Sequence, residues 1–305
     1  MGCVGTAIIL LLASAWIPFL GPFFSLLTPL PFLYYASKLG PYQGLKVVIF
    51  TLLIVGLIAK LTGYLQVIFF CIELGLLGLI ISTIYRRELT FGLTIFWGTS
   101  LMLFIGAIFL SLISFSKKMG PMELILAYLQ NNLTEAINTY ENMGVDQERI
   151  IQVRGYGQAL MDILTKIYPS LLIIGTGFVV WVNVIISKPL FRIRNLRYPQ
   201  FGPLDHWRAP EMMVWGFIAA GFSLFLFTGV VKLLSINAVI VMSVIYVFHG
   251  LSILLFILNK YRIHPLMRFL VYFLIVFQQI FLLGLFFAGL FDQWLDFRKL
   301  YKRSK

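Results

Sequence analysis

Glu73 stands near the middle of the apolar run 64–85, the only acidic side chain so deep inside any such run. An ionisable group at that depth is costly unless it faces a cavity or a partner. Two chemistries follow: contact with a substrate, an ion or a proton, or a protonated carboxyl bonded to a neighbouring helix. His249 lies mid-run in 235–258, and Gln278-Gln279 lies mid-run in 266–290. These side chains can hold a polar ligand, and interhelical hydrogen bonding accounts for them without one. Asn183 and Trp181, near the end of 169–187, could line a pocket or act as helix–helix glue and interfacial anchor. Glu73, Asn183, Trp181, His249 and Gln278 therefore form the candidate substrate-contact set.

No other chemistry is written in a recognisable pattern. The chain has three histidines, none with a Cys, Asp or second His at ligand spacing, so no metal site is expected. His206 belongs to a loop and His264 precedes Pro265 at a helix start. There is no G-x-x-x-x-G-K-[ST] phosphate loop, no G-x-G-x-x-G and no G-x-S-x-G elbow. No carboxylate pair is placed for acid–base work. The reading is a non-enzymatic protein without cofactor or metal. Cys3 and Cys71 imply no disulfide framework. The opening Met-Gly-Cys-Val-Gly-Thr fits a myristoylation pattern but runs directly into an apolar segment, and it lacks the charged region and cleavage site of a signal peptide.

The elements that must position these groups are helices in lipid. The composition is 60% hydrophobic and 12% charged, with mean hydropathy +0.93, whereas soluble domains carry about 25% charged residues. Residues 89–115 contain no charged side chain, and about 18 apolar residues already suffice to cross a bilayer as a helix. Continuous runs of this kind exclude the alternating segments of a β-barrel. Nine runs stand out, at 4–20, 23–37, 43–59, 64–85, 89–115, 169–187, 212–231, 235–258 and 266–290. The fold class is an all-α polytopic transmembrane bundle of about eight to nine spans. Pro18, Pro22, Pro29 and Pro31 punctuate the first two runs. Broken helices are tolerated in a membrane only against protein or a water-filled cavity. The segment 17–45 is therefore expected to border a chamber.

The net charge of +12 sits mostly between the runs, where cytoplasmic loops and anionic head groups account for it, and nucleic acid is not an expected partner. Lys188, Arg192, Arg194, Arg197 and Arg208 mark 188–210 as cytoplasmic. Alternation then puts Lys38/Lys46, Arg86/Arg87, Lys260/Arg262/Arg268 and the N-terminus on that same side. Nine spans would send the tail, with Arg298, Lys299, Lys302, Arg303 and Lys305, to the opposite side unless one segment fails to cross. Between spans, 116–168 reads as an extracytoplasmic helical hairpin. Leu126, Leu129, Leu133, Ala136, Ile137 and Tyr140 share one helical face, and Ile150, Val153, Leu160, Ile163, Leu164 and Ile167 share another. Gly144-Val145-Asp146 separates the two, with Asp146 a candidate N-cap. In the tail, Asp292 and Asp296 stand one helical turn apart and could share an arginine, or lie with Trp294 and Phe297 at the interface.

Two stretches carry a resemblance. Residues 29–59, PLPFLYYASKLGPYQGLKVVIFTLLIVGLIA, resemble the second and third helices of S-components of energy-coupling-factor transporters, including the turn Gly40-Pro41-Tyr42-Gln43-Gly44. The whole chain more closely resembles the YybS-like family of bacterial membrane proteins, through that turn, the loop RYPQFGPLDHWRAPEMMVW (197–215) and the ending GLFDQWLDFRK (289–299). The resemblance implies a six-helix core with an outward-opening pocket under the hairpin. It also implies uptake of a vitamin-like solute, with a separate transmembrane coupling subunit and ATPase as partners. The chain departs from the A-x-x-x-A docking pattern of the first helix: Ala7, Ala13 and Ala15 are followed four on by Leu11, Ile17 and Phe19.

The expected organisation is an S-component-like core over 1–187, including the hairpin, followed by C-terminal membrane helices over 188–305. The expected role is binding or uptake of a small solute in the bacterial inner membrane. The alternative is a non-transporting membrane scaffold or assembly protein that docks through 188–210 and the basic tail.

Overall fold

The structure, a computed structural model, describes residues 2–17, 21–63, 66–142 and 146–299. It contains helices and no strand among the described residues, as expected where backbone groups must be satisfied within each segment. The order is α1 (Gly2–Trp16), α2 (Gly21–Leu27), α3 (Pro29–Leu39), α4 (Pro41–Thr62), α5 (Gln66–Tyr85), α6 (Phe91–Lys117), α7 (Pro121–Asn142) and α8 (Gln147–Ile193). A 3-10 turn (Leu204–His206) leads to α9 (Met213–Leu226), α10 (Gly229–Lys260), α11 (Pro265–Phe277) and α12 (Gln279–Leu295).

Five of these helices are long and apolar enough to cross a membrane, or six if α11 and α12, bent by 100° at their junction, count as one broken span. The nine apolar runs resolve to that number for local reasons. Run 23–37 is split at Thr28, just before Pro29, into α2 and α3. Runs 4–20 and 212–231 give only the short apolar helices Val4–Ser14 and Met213–Leu226. Run 266–290 breaks at Gln278, whose extended backbone ends α11. Pro18, Gly144, Val145, Lys302, Arg303 and Lys305 lie outside the described residues.

The hairpin also differs from expectation. Its second helix does not stop before the run at 169: α8 is one helix of 47 residues, about 70 Å long at 1.5 Å per residue. Pro169 lies inside it and by itself should open the helix. The gap is closed from outside. Ser170 N donates to Asn237 Oδ1 at 2.8 Å and Asn237 Nδ2 donates to the Lys166 carbonyl at 2.8 Å, so one carboxamide replaces the missing turn of hydrogen bonds. Within the hairpin, Ile137 and Ile150 are buried and Leu133 meets Gly157, whereas Ala136, Leu160 and Ile163 stay exposed. The Asp146 carbonyl accepts from Ile150 N at 3.1 Å, at the start of α8.

The chain forms two compact units, one of Met1–Pro121 with Gly175–Phe201 and one of Met122–Ile174 with Gly202–Lys305. The first gathers α1 to α6 with the second half of α8. Ala7, Phe32 and Val48 form one core cluster and Leu11, Val55 and Cys71 another. The described part of 17–45 is thus closely packed. Gly40, at φ 101°, turns the chain between α3 and α4, and Pro41 starts α4 with its φ already helical. A Cβ on Gly44 would lie 2.6 Å from the Ala36 Cβ, so only glycine lets α4 fold back this tightly on α3.

In the second unit α10 packs against α9 and α12. A Cβ on Gly250 would overlap the Leu285 carbonyl, and one on Gly289 would overlap the Tyr246 carbonyl, so the two helices touch backbone to backbone. Close crossing at small residues is how membrane helices gain contact without a hydrophobic driving force. One turn earlier on both helices, Tyr246 and Phe286 meet edge to face at 6.5 Å. His249 and Asp292 meet further along both helices, so these two side-chain pairs advance together and α10 and α12 run parallel.

Candidate functional site

The first unit concentrates its unsatisfied polar atoms on one seam. α6 approaches α8 where a Cβ on Gly98 would lie 2.9 Å from Val180, and one on Gly177 would lie 3.5 Å from the Thr99 hydroxyl. Numbers fall on α8 as they rise on α6, so the helices are antiparallel and Thr94 comes level with Asn183. Asn183 is fully buried; its Nδ2 donates to the Leu26 carbonyl at 2.9 Å and to Val179 at 2.8 Å. The Leu26 carbonyl needs that donor, because the break at Thr28 ends α2 and removes its helical partner. Asn183 Oδ1, Thr94 Oγ1 and Thr99 Oγ1 are buried and have no hydrogen-bond partner among the described residues.

The free hydroxyls are unusual for this chain. Thr28, Thr51, Thr62, Thr83, Thr134 and Thr165 each donate to the carbonyl four residues earlier, the ordinary fate of a helical threonine. Nothing charged lies on α6 before Lys117 or on α8 between Gly175 and Ser187, so the seam is polar and neutral. An aromatic floor closes its end. Tyr85, Phe191, Tyr198 and Phe201 meet edge to face, with Tyr85 to Tyr198 at 5.6 Å and Tyr198 to Phe201 at 5.2 Å. Tyr198 Oη donates to the Val184 carbonyl at 3.0 Å, and burial pushes its phenol well above the ordinary value.

The other expected site residues fall elsewhere. Glu73 is exposed on α5, whose buried positions include Cys71, Gly75, Leu77 and Gly78 beside it. Trp181 is half-buried and stacks on Phe178 at 5.8 Å and 22°. Gln278 is exposed at the break between α11 and α12. Gly40, Pro41 and Gly44 build a turn. Thr94 and Thr99 were not on the expected list, and a threonine in an apolar run gives no signal that its hydroxyl will be left free.

His249, in the second unit, belongs to a charge network. Its Nε2 lies 3.1 Å from Asp292 Oδ2, and both side chains are buried. Asp292 Oδ1 accepts from Phe297 N at 2.8 Å, and Arg298 Nη1 lies 3.5 Å from Asp292 Oδ2. Arg298 also donates to the Asp205 and Trp207 carbonyls and to Ser252 Oγ, at 3.2, 3.0 and 2.9 Å. Asp292 and Asp296 do not share an arginine: Asp296 takes Arg208 at 2.7 Å. Ser252 Oγ lies 2.7 Å from the Leu204 carbonyl and 2.8 Å from that of Trp207 while accepting from Arg298. His249 is not bonded to it, so the trio is no nucleophile–base relay.

Apolar helices of membrane length, glycine-mediated crossings and neutral polar seams define a helical membrane-embedded protein. The chain belongs to the DUF2232 family of predicted membrane proteins, whose model matches residues 5–293. No curated protein and no solved structure matches the chain.

Proposed function

We propose that the protein binds a small uncharged solute at the seam of α6 and α8 and carries it across the cytoplasmic membrane, in the manner of an S-component. The observation that carries this reading is the trio of buried oxygens, Asn183 Oδ1, Thr94 Oγ1 and Thr99 Oγ1, left without partners beside the broken α2–α3 segment. A buried polar atom without a partner costs about 1–3 kcal/mol, and a solute donating hydrogen bonds would remove that cost. A charged solute would be stranded there, since no counter-charge lines the seam. Support also comes from the first unit, whose helical segments close on their own around α3 and α5. The protein acts without catalysis, and the energy comes from an ion gradient or a separate coupling subunit and ATPase, because the chain carries no phosphate loop. Loop 188–210 faces the cytoplasm.

Thermal melting of the purified protein against a library of neutral, vitamin-sized metabolites tests the reading. A true ligand at a hundredfold excess over Kd stabilises by about 2.7 kcal/mol. Thr94→Val with Thr99→Val should keep the unliganded Tm and lose the response. Silence across the library leaves the non-transporting scaffold as the surviving account.

A further inference from the structure

The C-terminal end of the second unit carries a second reading, independent of solute binding. The left-handed turn at Asp296 ends α12 and brings Arg298 back over Ser252, where it fastens to the carbonyls of Asp205 and Trp207. The start of the tail therefore lies against the loop that joins the 3-10 turn to α9. The end of α10 joins the same assembly. Asn259 Nδ2 donates to Asp205 at 2.9 Å, and Arg268 donates to Asn259 at 2.8 Å. Since α10 and α12 run parallel, their C-terminal ends reach one membrane face together.

We propose that this end is a docking surface for anionic phospholipid head groups of one leaflet, with the tail held on the same face as loop 202–212. Three of its four acids are engaged internally, and the fourth, Glu211, is exposed in the loop. Asp205 holds His206 and Asn259, Asp292 holds His249 and Arg298, and Asp296 holds Arg208. The bases extend outward: Arg262 is exposed, and Lys299 is 81% exposed although it reaches Asp296. The depth is right for head groups. Trp294 and Tyr261 are exposed where α12 and α10 end, and Lys260 lies over the Tyr261 ring at 5.8 Å. Amphipathic aromatics mark the interface, and bases beside them meet lipid phosphates. A soluble acidic partner would need the charges to project beyond that aromatic level.

Two measurements on the full-length protein decide it. Glu211→Cys, Lys299→Cys and Lys232→Cys are made singly with Cys3 and Cys71 replaced, and labelled in sealed vesicles by an impermeant maleimide. Positions 211 and 299 should label from one side and 232 from the other; opposite labelling of 211 and 299 overturns the proposal. Native mass spectrometry and melting are then compared in nanodiscs of phosphatidylcholine with and without phosphatidylglycerol. Phosphatidylglycerol should be retained and raise Tm, and Arg262→Gln with Lys299→Gln should weaken its retention by about fivefold per base removed while lowering Tm in pure phosphatidylcholine only by the small loss of the exposed Lys299–Asp296 pair. Equal retention in the double variant, or no preference in the parent, overturns it. Retention of a stoichiometric acidic protein in place of lipid overturns it too.

Discussion

Asn183 and Asn237 perform the same service in different units, and they end differently. Each sits where a proline has opened a helix: Asn237 against Pro169, Asn183 against the break before Pro29. Asn237 uses its whole carboxamide, with Oδ1 accepting from Ser170 N and Nδ2 donating to Lys166 and Leu233. Asn183 uses only its Nδ2, and its oxygen stays unpartnered with those of Thr94 and Thr99. In the second unit the buried carboxylate of Asp292 is matched by an imidazole, a backbone N–H and a guanidinium. Satisfied polar groups hold a fold together. Tyr246 Oη and His249 Nδ1 are buried and unpaired in the second unit as well, among the described residues. What sets the seam apart is that its three unsatisfied atoms are all neutral oxygens gathered between two helices, with room to recognise something else.

The largest effect expected from this contrast is at Asp292. Asp292→Ala strands Arg298 and His249 in a buried site and should cost about 3–5 kcal/mol, read as a drop in Tm. Asp292→Ala with Arg298→Met removes both charges and should recover more than half of that loss, the coupling a double-mutant cycle measures. A double variant no more stable than the single one would break the claim that the pair acts as a unit. Next comes Asn237→Leu, which frees Ser170 N and Lys166 O and should cost about 1–3 kcal/mol for each group left unpaired. Thr94→Val, which frees nothing, should change Tm little or raise it. If the Thr94 substitution proves as damaging as the Asn237 one, that hydroxyl has a partner and the seam is not a binding site.

What could be read beforehand divides along physical lines. The helical membrane character follows from runs such as 89–115, and the turn at Gly40-Pro41 from residue types that fix φ locally. Local signals misled where tertiary contacts decide. Pro169 reads as the start of a span, yet α8 runs through it because Asn237, far along the chain, supplies the missing bonds. Counting nine runs as nine crossings left the side of the tail open; Arg298, bonded to the Asp205 and Trp207 carbonyls, sets the start of the tail beside that loop. Depth in the sequence did not mark burial either. Glu73 sits mid-run but on the exposed side of α5, whereas Asp292 sits near a helix end and is buried. Spacing within one helix says nothing about which face meets a neighbour when every face is apolar.

The smallest effect concerns Asp296, where the polar cap meets water. Burial alone would raise its carboxyl, but hydrogen bonds from Lys299 and Arg208, and their charges, outweigh that and hold it below the ordinary value of 3.8. The folded chain therefore binds this proton less readily than the unfolded one. Its contribution is complete above the ordinary value, shrinks as pH falls through it, and is gone below the lowered folded value. Because Arg208 and Lys299 are both exposed, the pair is worth about 0.2–1 kcal/mol and should fade in high salt. Asp296→Asn removes it, so the Tm gap between parent and variant should be widest at neutral pH and close in acid. A gap that stays constant with pH would mean that Asp296 holds its place as a helix cap rather than through charge. The fastening of the tail would then rest on the hydrogen bonds of Arg298 to Ser252 and to the Asp205 and Trp207 carbonyls.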